Sequence, residues 1–138
     1  GADISIGEDC AISWDVQILS DDIHMATGSR LSGSSRAPVR IGNHVWLGTN
    51  ALILKGAEIG HDSVVAAGSV VTGGAYPPHS LIAGNPARVI RSDVSWRDLT
   101  REEKASKLGA FELGDEFDDP GIRILGMDPE RATKTNPS

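Results

Sequence analysis

From Ile41 onward the chain repeats itself every six residues. Ile41, Leu47, Ile53, Ile59, Val65 and Val71 take the first place of successive hexads, and Val45, Ala51, Ala57, Ser63, Ser69 and Ala75 take the fifth. Ile, Leu and Val make up 31 of 138 residues, so six such residues in a row at this spacing arise by chance about once in ten thousand trials. Fourth places run Asn50, Gly56, Asp62, Gly68 and Gly74, the residue types that best tolerate a left-handed backbone. A period of six matches neither the 3.6-residue α-helical turn nor a heptad. It suits a short strand followed by a corner, with one aliphatic and one small residue turned inward per side. Three sides close a triangular coil of about 18 residues, each strand pairing with the strand one coil later, about 4.8 Å along the axis. Frames at Ile6, Ile12 and Ile18 extend the register upstream, for about eleven hexads, about 3.7 coils and about 18 Å of height. The period departs at Pro77 and Ala83.

Sixteen glycines and only six aromatic residues agree with a thin core of medium aliphatics. Thirteen Lys and Arg against nineteen Asp and Glu give a net charge of −6. Nucleic acid and anionic membrane are therefore not expected as partners, because phosphate binding needs a basic footprint. No apolar run reaches the ~18–20 residues of a membrane-spanning helix, and no signal-like stretch opens the chain. The single cysteine, Cys10, leaves no disulfide framework and no four-cysteine zinc site, so a reducing, cytoplasmic location is the expectation. Cys10 occupies an inward fifth place and reads as a small core residue rather than a nucleophile. The chain opens Gly1-Ala2 without Met, as a processed, tagged or partial chain does.

Two segments break the repeat. Residues 25–40, MATGSRLSGSSRAPVR, hold Arg30, Arg36 and Arg40 and no acid; they read as a loop extruded from a coil, with a local charge suited to an anionic ligand. After Arg91 the periodicity ends. Thr100-Arg-Glu-Glu103 forms a capping box that opens a short helix over about 101–108, with Gly109 as its stop. Residues 110–138 carry acidic, Gly and Pro punctuation without period, and pack on the prism through Phe111, Phe117, Ile122 and Leu125 or remain irregular. The expected organisation is a β-helix over 1–91 and a C-terminal extension over 92–138.

The stretches IGNHVWLGTNALILKGAEIG, VVAAGSVVT and IAGNPARVIR with the following Trp96 resemble the hexapeptide-repeat acyltransferases, closest to sugar and surface-polysaccharide O-acetyltransferases of the galactoside and maltose acetyltransferase type. The likeness covers residues 4–96. It implies an all-β fold, a left-handed parallel β-helix; the handedness comes from the resemblance, since period six does not fix it and left-handed crossovers are the rare kind.

His24 ends the segment SDDIH, where the repeat stops and the loop begins. Acyl transfer from a thioester to a hydroxyl needs a base for the hydroxyl proton, and imidazole titrates near neutrality. A carboxylate on the other ring nitrogen fixes the tautomer, which Asp22 is near enough in sequence to do. The resemblance places the catalytic His here. Polysaccharide O-acetyltransferases commonly show a Ser-Asp-x-His-like order, whereas this chain has Ser20-Asp21-Asp22-Ile23-His24. The serine is displaced by one, which leaves Asp21 as a rival orienter. His61 and His79 are 18 residues apart and read as stacked corner histidines; no H-x4-H pair is present, and no metal is expected.

The resemblance also implies acetyl-CoA as co-substrate, contacted by Trp46, Thr49, Ala67, Thr72, Arg88 and Arg91. Trp46 falls on an outward sixth place, where subunit packing is the other reading. Gly73-Gly74 follow Thr72 where the family often has Lys-Asp, so phosphate pairing falls to the arginines. The activity implied is transfer of acetyl to a sugar or glycan hydroxyl, with a homotrimer holding the co-substrate between neighbouring prisms. N-acetylation of an amino-sugar nucleotide and a non-catalytic β-helix module are the rival readings.

Overall fold

The computed structural model describes residues 2–28 and 33–106. The chain divides into two compact units, Gly1–Arg97 and Asp98–Ser138. The first is a parallel β-helix of eleven rungs followed by one antiparallel strand. In chain order the rungs are β1 (Ile4–Ile6), β2 (Ala11–Ile12), β3 (Gln17–Ile18), β4 (Val39–Ile41), β5 (Trp46–Leu47), β6 (Leu52–Ile53), β7 (Ala57–Ile59), β8 (Val64–Val65), β9 (Val70–Val71), β10 (Gly74–Tyr76) and β11 (Leu81–Gly84). They stack into three faces: β1-β4-β7-β10 (face A), β2-β5-β8-β11 (face B) and β3-β6-β9 (face C). The hairpin strand β12 (Ala87–Arg91) runs antiparallel to β11 and closes face B.

Each rung is only two to four residues long, so no strand is stable by itself. Stability comes from stacking. Backbone bonds run from coil to coil, for example Trp46 N–H to the Ser63 carbonyl at 3.0 Å and Gly48 N–H to the Val65 carbonyl at 2.8 Å. First-place residues Leu47, Ile53 and Val65 are fully buried, as are fifth-place residues Val39, Val45 and Ala57. Ser63, Ser69 and Ser80 replace the aliphatics at the fifth place in the upper coils and are equally buried. Their hydroxyls are satisfied: Ser80 Oγ donates to the Pro77 carbonyl at 2.6 Å, and Ser63 Oγ accepts the Ser80 N–H at 3.1 Å. A buried hydroxyl is tolerated only on those terms. Cys10 packs against this core.

The register explains where the hexads fail. Successive coils are offset by 18 residues at Arg40↔Glu58, Trp46↔Val64 and Leu52↔Val70. From Ala57↔Gly74 onward the offset is 17. One residue is missing at the corner holding Thr72 and Gly73, so Tyr76 and Ile82 take the first places that Pro77 and Ala83 vacate. Ala75, expected inward, is consequently exposed, and Gly74 stands in the fifth place with φ +142°. Positive φ occurs at each expected fourth place, and also at Asp9, Asp15 and His44 upstream.

Across the first coil the offset is 35, one coil of 18 plus an insertion of 17. The extruded loop is narrower than the expected 25–40. Its neck is the antiparallel bridge Asp21↔Arg36, and Val39–Ile41 already belong to β4. Arg30 lies outside the described residues. Past Arg91, the segment to Arg97 stays with the β-helix: the Val94 N–H donates to the His79 carbonyl (2.9 Å) and Trp96 Nε1–H to the His44 carbonyl (2.7 Å).

In the second unit residues 101–106 are helical. The capping box is formed as expected, with Thr100 Oγ1 accepting the Glu103 N–H (3.1 Å) and the Glu103 carboxylate accepting the Thr100 N–H (2.8 Å). Residues 107 and 108, and the apolar set from Phe111 to Leu125, lie outside the described residues.

Close stacking makes some corners glycine-only for steric reasons. A Cβ on Gly60 would meet backbone atoms of Pro78, N at 2.3 Å and Cα at 2.7 Å. Gly60→Ala should therefore destabilise the domain by about 1–3 kcal/mol, the usual cost of overpacking. Thermal melts would show a clear drop in midpoint; an unchanged midpoint would mean the coils separate freely at this corner.

Candidate active site

The insertion leaves the prism at the edge where face C meets face A, and everything about its base is built to hold it there. The Asp22 N–H donates to the Ser35 carbonyl at 2.9 Å and the Ala37 N–H to the Ser20 carbonyl at 3.1 Å. Arg36 Nε donates to Asp21 Oδ2 at 2.7 Å, while Asp21 Oδ1 accepts the Ile23 N–H at 2.8 Å. The Ile23 N–H, and then Arg36, hold the Asp21 carboxyl below its ordinary value. Ile23 itself sits at φ +64°, where a β-branched side chain is strained. Such strain persists only where surrounding bonds enforce it, and here they fix the residue immediately before His24.

Lys55 completes the base. Its ammonium pairs with Asp22 Oδ2 and donates to the Ser34 carbonyl at 3.0 Å. Asp22, His24, Met25, Ala26, Gly33, Ser34, Ser35 and Lys55 line one surface hollow of about 170 Å³. His24 is exposed. Asp22 thus reaches the hollow with His24, but the partner it takes in this chain is Lys55, while Asp21 is committed to Arg36.

The sequence reading did not single out Lys55. The signal was obscured, because Lys55 stands one coil beyond Ser20 only once the 17-residue insertion is subtracted from their separation of 35. Lys55 also lies directly below Gly73, where a Cβ would come 2.9 Å from the Lys55 carbonyl. Gly73, where the family this sequence resembles often has a lysine, thus sits one coil above a lysine of this chain.

The expected co-substrate contacts lie elsewhere. Thr49 and Ala67 are stacked on the edge between faces B and C, the Gly68 N–H donating to the Thr49 carbonyl at 2.8 Å. Gly48 lets them approach, since a Cβ there would meet Ala67 N at 2.6 Å. Trp46 is exposed on face B, its Nε1–H donating to Ser13 Oγ at 3.2 Å, and its ring lies 6.2 Å from Trp96. Arg88 and Arg91 are exposed on β12. Thr72 alone shares the His24 edge, its carbonyl accepting the Tyr76 hydroxyl at 2.9 Å. One chain therefore carries the candidate base on one edge, while five of the six candidate co-substrate contacts lie away from it, on face B, on β12 and on the edge between faces B and C.

Residues 38–73 match the sequence family described as bacterial transferase hexapeptide (six repeats). A 2,3,4,5-tetrahydropyridine-2,6-dicarboxylate N-acetyltransferase of Staphylococcus aureus (strain JH9) is 36% identical over 85 residues, 59% of this chain and 35% of that protein. Among solved structures, the polysialic-acid-specific acetyltransferase NeuO superposes with a TM-score of 0.65 at 30% identity, covering 80% of this chain and 54% of that one. A hexapeptide-repeat acetyltransferase of Vibrio cholerae O1 biovar eltor, solved with acetyl-CoA, gives 0.56 at 35% identity, with 69% and 50% covered. The chain spans between about a third and just over half of the length of these three proteins. The coil is accordingly the left-handed parallel β-helix that the sequence resemblance implied.

Because Asp21 has a folded pKa below its unfolded value near 3.8, its contribution to stability is complete above that pH. It is lost as pH falls through the lower, folded pKa. Asp21→Asn should accordingly be less stable than wild type at pH 7, and the two should converge when melts are repeated below pH 3.8. A difference that persists unchanged in acid would assign the effect to packing instead of charge.

Proposed function

We propose, from the premise that residues 38–73 form a hexapeptide-repeat domain of the bacterial transferase kind, that this chain is an acetyl-CoA-dependent O-acetyltransferase acting on a sugar or glycan hydroxyl. The hollow at the loop base supports the reading most directly, because it gathers an exposed histidine, a carboxylate and an ammonium at a strained, well-fastened turn. The likeness to a polysialic-acid-specific acetyltransferase supports the acceptor class.

His24 is the general base in this reading. It removes the acceptor hydroxyl proton as that oxygen attacks the thioester carbonyl, and returns the proton to the departing sulfur. Asp22 orients the ring: Lys55 occupies Oδ2, and a carboxylate has lone pairs to spare on Oδ1. Lys55 keeps the carboxylate in place and supplies positive charge to the hollow. Backbone N–H groups near His24 act as oxyanion donors. No acyl-accepting nucleophile is used, so transfer is direct. The chemistry of the expected contacts fits the co-substrate: the small side chains of the Thr49–Ala67 edge expose backbone for the amides of the pantetheine arm, Trp46 is exposed for stacking, and Arg88 and Arg91 are exposed to meet phosphates.

His24→Ala is expected to lower kcat by at least ~10²-fold while acetyl-CoA still binds, since loss of a general base typically costs 10²–10⁴. Asp22→Asn should be milder than His24→Ala and harsher than Asp21→Asn. Thiol release from acetyl-CoA across a panel of sugars and glycans is the measurement, with amino sugars included because an N-acetyltransferase is among the relatives. Wild-type turnover in His24→Ala would overturn the mechanism. Absence of thiol release with every acceptor would favour a non-catalytic β-helix module.

The same reading requires a homotrimer, because it needs His24 of one chain to face Trp46, Thr49 and Ala67 of the next. Closed threefold packing also buries aliphatic walls that one thin prism leaves wet. Mixing His24→Ala chains with Ala67→Trp chains, each inactive alone, should restore activity. About a quarter of the interfaces in a random equal mixture pair an intact His24 with an intact groove. A fully active monomer in light scattering, or no recovery in confirmed mixed trimers, would place the whole site on one chain.

A further inference from the structure

Three of the four histidines of the chain meet far from His24, on the edge where face A turns into face B. Asp9, His44, Asp62 and His79 occupy the same corner of successive coils, each with φ between +54° and +59°. The identical backbone conformation at each level aims their side chains along one ladder. His61 joins the ladder from the position before Asp62, its ring edge-on to His79 with centroids 5.2 Å apart. The one-residue slip between coils puts His79 directly above Asp62 instead of above His61.

We propose that His61, Asp62 and His79 form a binding site for a divalent transition-metal ion of the zinc type, separate from the acetyl-transfer site. The candidate ligand atoms lie within 4.8 Å of one another. His61 Nδ1 is 2.6 Å and His79 Nε2 3.9 Å from Asp62 Oδ2. A tetrahedral ion with ligands at about 2.0–2.1 Å sets them about 3.3 Å apart, between those two distances, and rotation of the two half-exposed imidazoles closes the remaining separation, which is within 4.8 Å.

The bonds around the cluster already orient its donors. His79 Nδ1 faces the Val94 carbonyl at 3.0 Å. A carbonyl only accepts, so the proton is on Nδ1 and the neutral ring presents its Nε2 lone pair to the cluster. That is the arrangement a backbone carbonyl on the far ring nitrogen imposes on a metal-binding histidine. His44 Nδ1–H donates to Asp62 Oδ1 at 2.8 Å, fixing the carboxylate while leaving Oδ2 for the ion. His44 is itself held by stacking on Trp96, with ring centroids 4.2 Å apart and planes within 11°. His61 Nδ1–H now donates to Asp62 Oδ2, so for Nδ1 to take the ion this proton must leave and Nε2 must take one up, a tautomer shift of the neutral ring. Two imidazoles and one carboxylate select zinc-like ions over calcium or magnesium, which prefer all-oxygen sites. The rings of His61 and His79 are about half exposed, leaving an entry path and room for water as fourth ligand.

The ion would act as a clamp. Through His79 it fixes Val94, and through Asp62 and His44 it fixes Trp96, so the segment after β12 is tied to three coils at once. Its ligands do not include His24, which stands on a different edge of the same chain.

The test is titration of the full chain, purified free of metal, with zinc sulfate in a calorimeter and with cobalt chloride followed by visible absorption. One equivalent per chain should bind saturably with micromolar or tighter affinity, and the thermal midpoint should rise with zinc. His61→Ala and His79→Ala should each weaken binding at least ~10-fold. His44→Ala should weaken it about 10-fold while leaving stoichiometry intact. His24→Ala should bind like wild type, which separates a specific site from general histidine affinity and leaves the test independent of the proposed catalysis. Circular dichroism checks that variants fold; should an alanine variant unfold, His79→Gln removes the ligand at similar size. No saturable binding by the wild-type chain, or equal binding by a folded His61→Ala/His79→Ala double variant, would overturn the site.

Discussion

Everything in this domain depends on one repeated contact, an inward aliphatic resting on its counterpart one coil away. Rungs of two to four residues have almost no strength alone, and a core that is one side chain wide cannot be stabilised by bulk. The column from Leu47 to Val65 to Ile82 on face B, each fully buried, and its equivalents on faces A and C supply the burial that the few aromatic residues do not. The backbone bonds between coils follow from that stacking. So does the intolerance of side chains at Gly48 and Gly60, where one coil's backbone rests on the next.

A stack so regular leaves only its edges for chemistry. Faces are pinned by pairing on both sides, whereas corners can lengthen, shorten or change residue type without breaking the ladder. One corner between faces C and A accepts 17 extra residues and thereby lifts His24 off the prism. The same edge, two coils later, loses one residue at Thr72 and Gly73. That loss shifts every later position, and it is what sets His79 over Asp62 on the edge between faces A and B. Two departures of opposite sign from one repeat thus shape both clusters of titratable groups.

The two clusters differ in how their charges are arranged. Around His24 the acids are neutralised by Lys55 and Arg36, an arrangement that fastens a loop and leaves the imidazole open. Around Asp62 the acid is surrounded by imidazoles, and their hydrogen bonds, first from His61 and then from His44, hold its carboxyl below the ordinary value. Both sets are partly exposed, so geometry more than charge burial gives each its character.

The sequence alone determined the coil. Hexad places told which residues face inward, Asn50, Asp62 and Gly68 marked left-handed corners, and Thr100 with Glu103 marked a helix start. All of these are local: a strand, a corner or a cap is decided within six residues, so one chain suffices to read it. The loop was equally visible as a break in the period, and His24 as the imidazole at its root. Only the tertiary structure decided which residues on different coils meet. Lys55 with Asp22, His79 with Asp62, and the outward turn of Ala75 all depend on the running count of residues around the prism. A 17-residue insertion and a one-residue loss change that count without altering any local signal. The separation of the candidate base from Trp46, Thr49 and Ala67 follows from the same count, since a prism separates what lies six residues apart and joins what lies one full coil away.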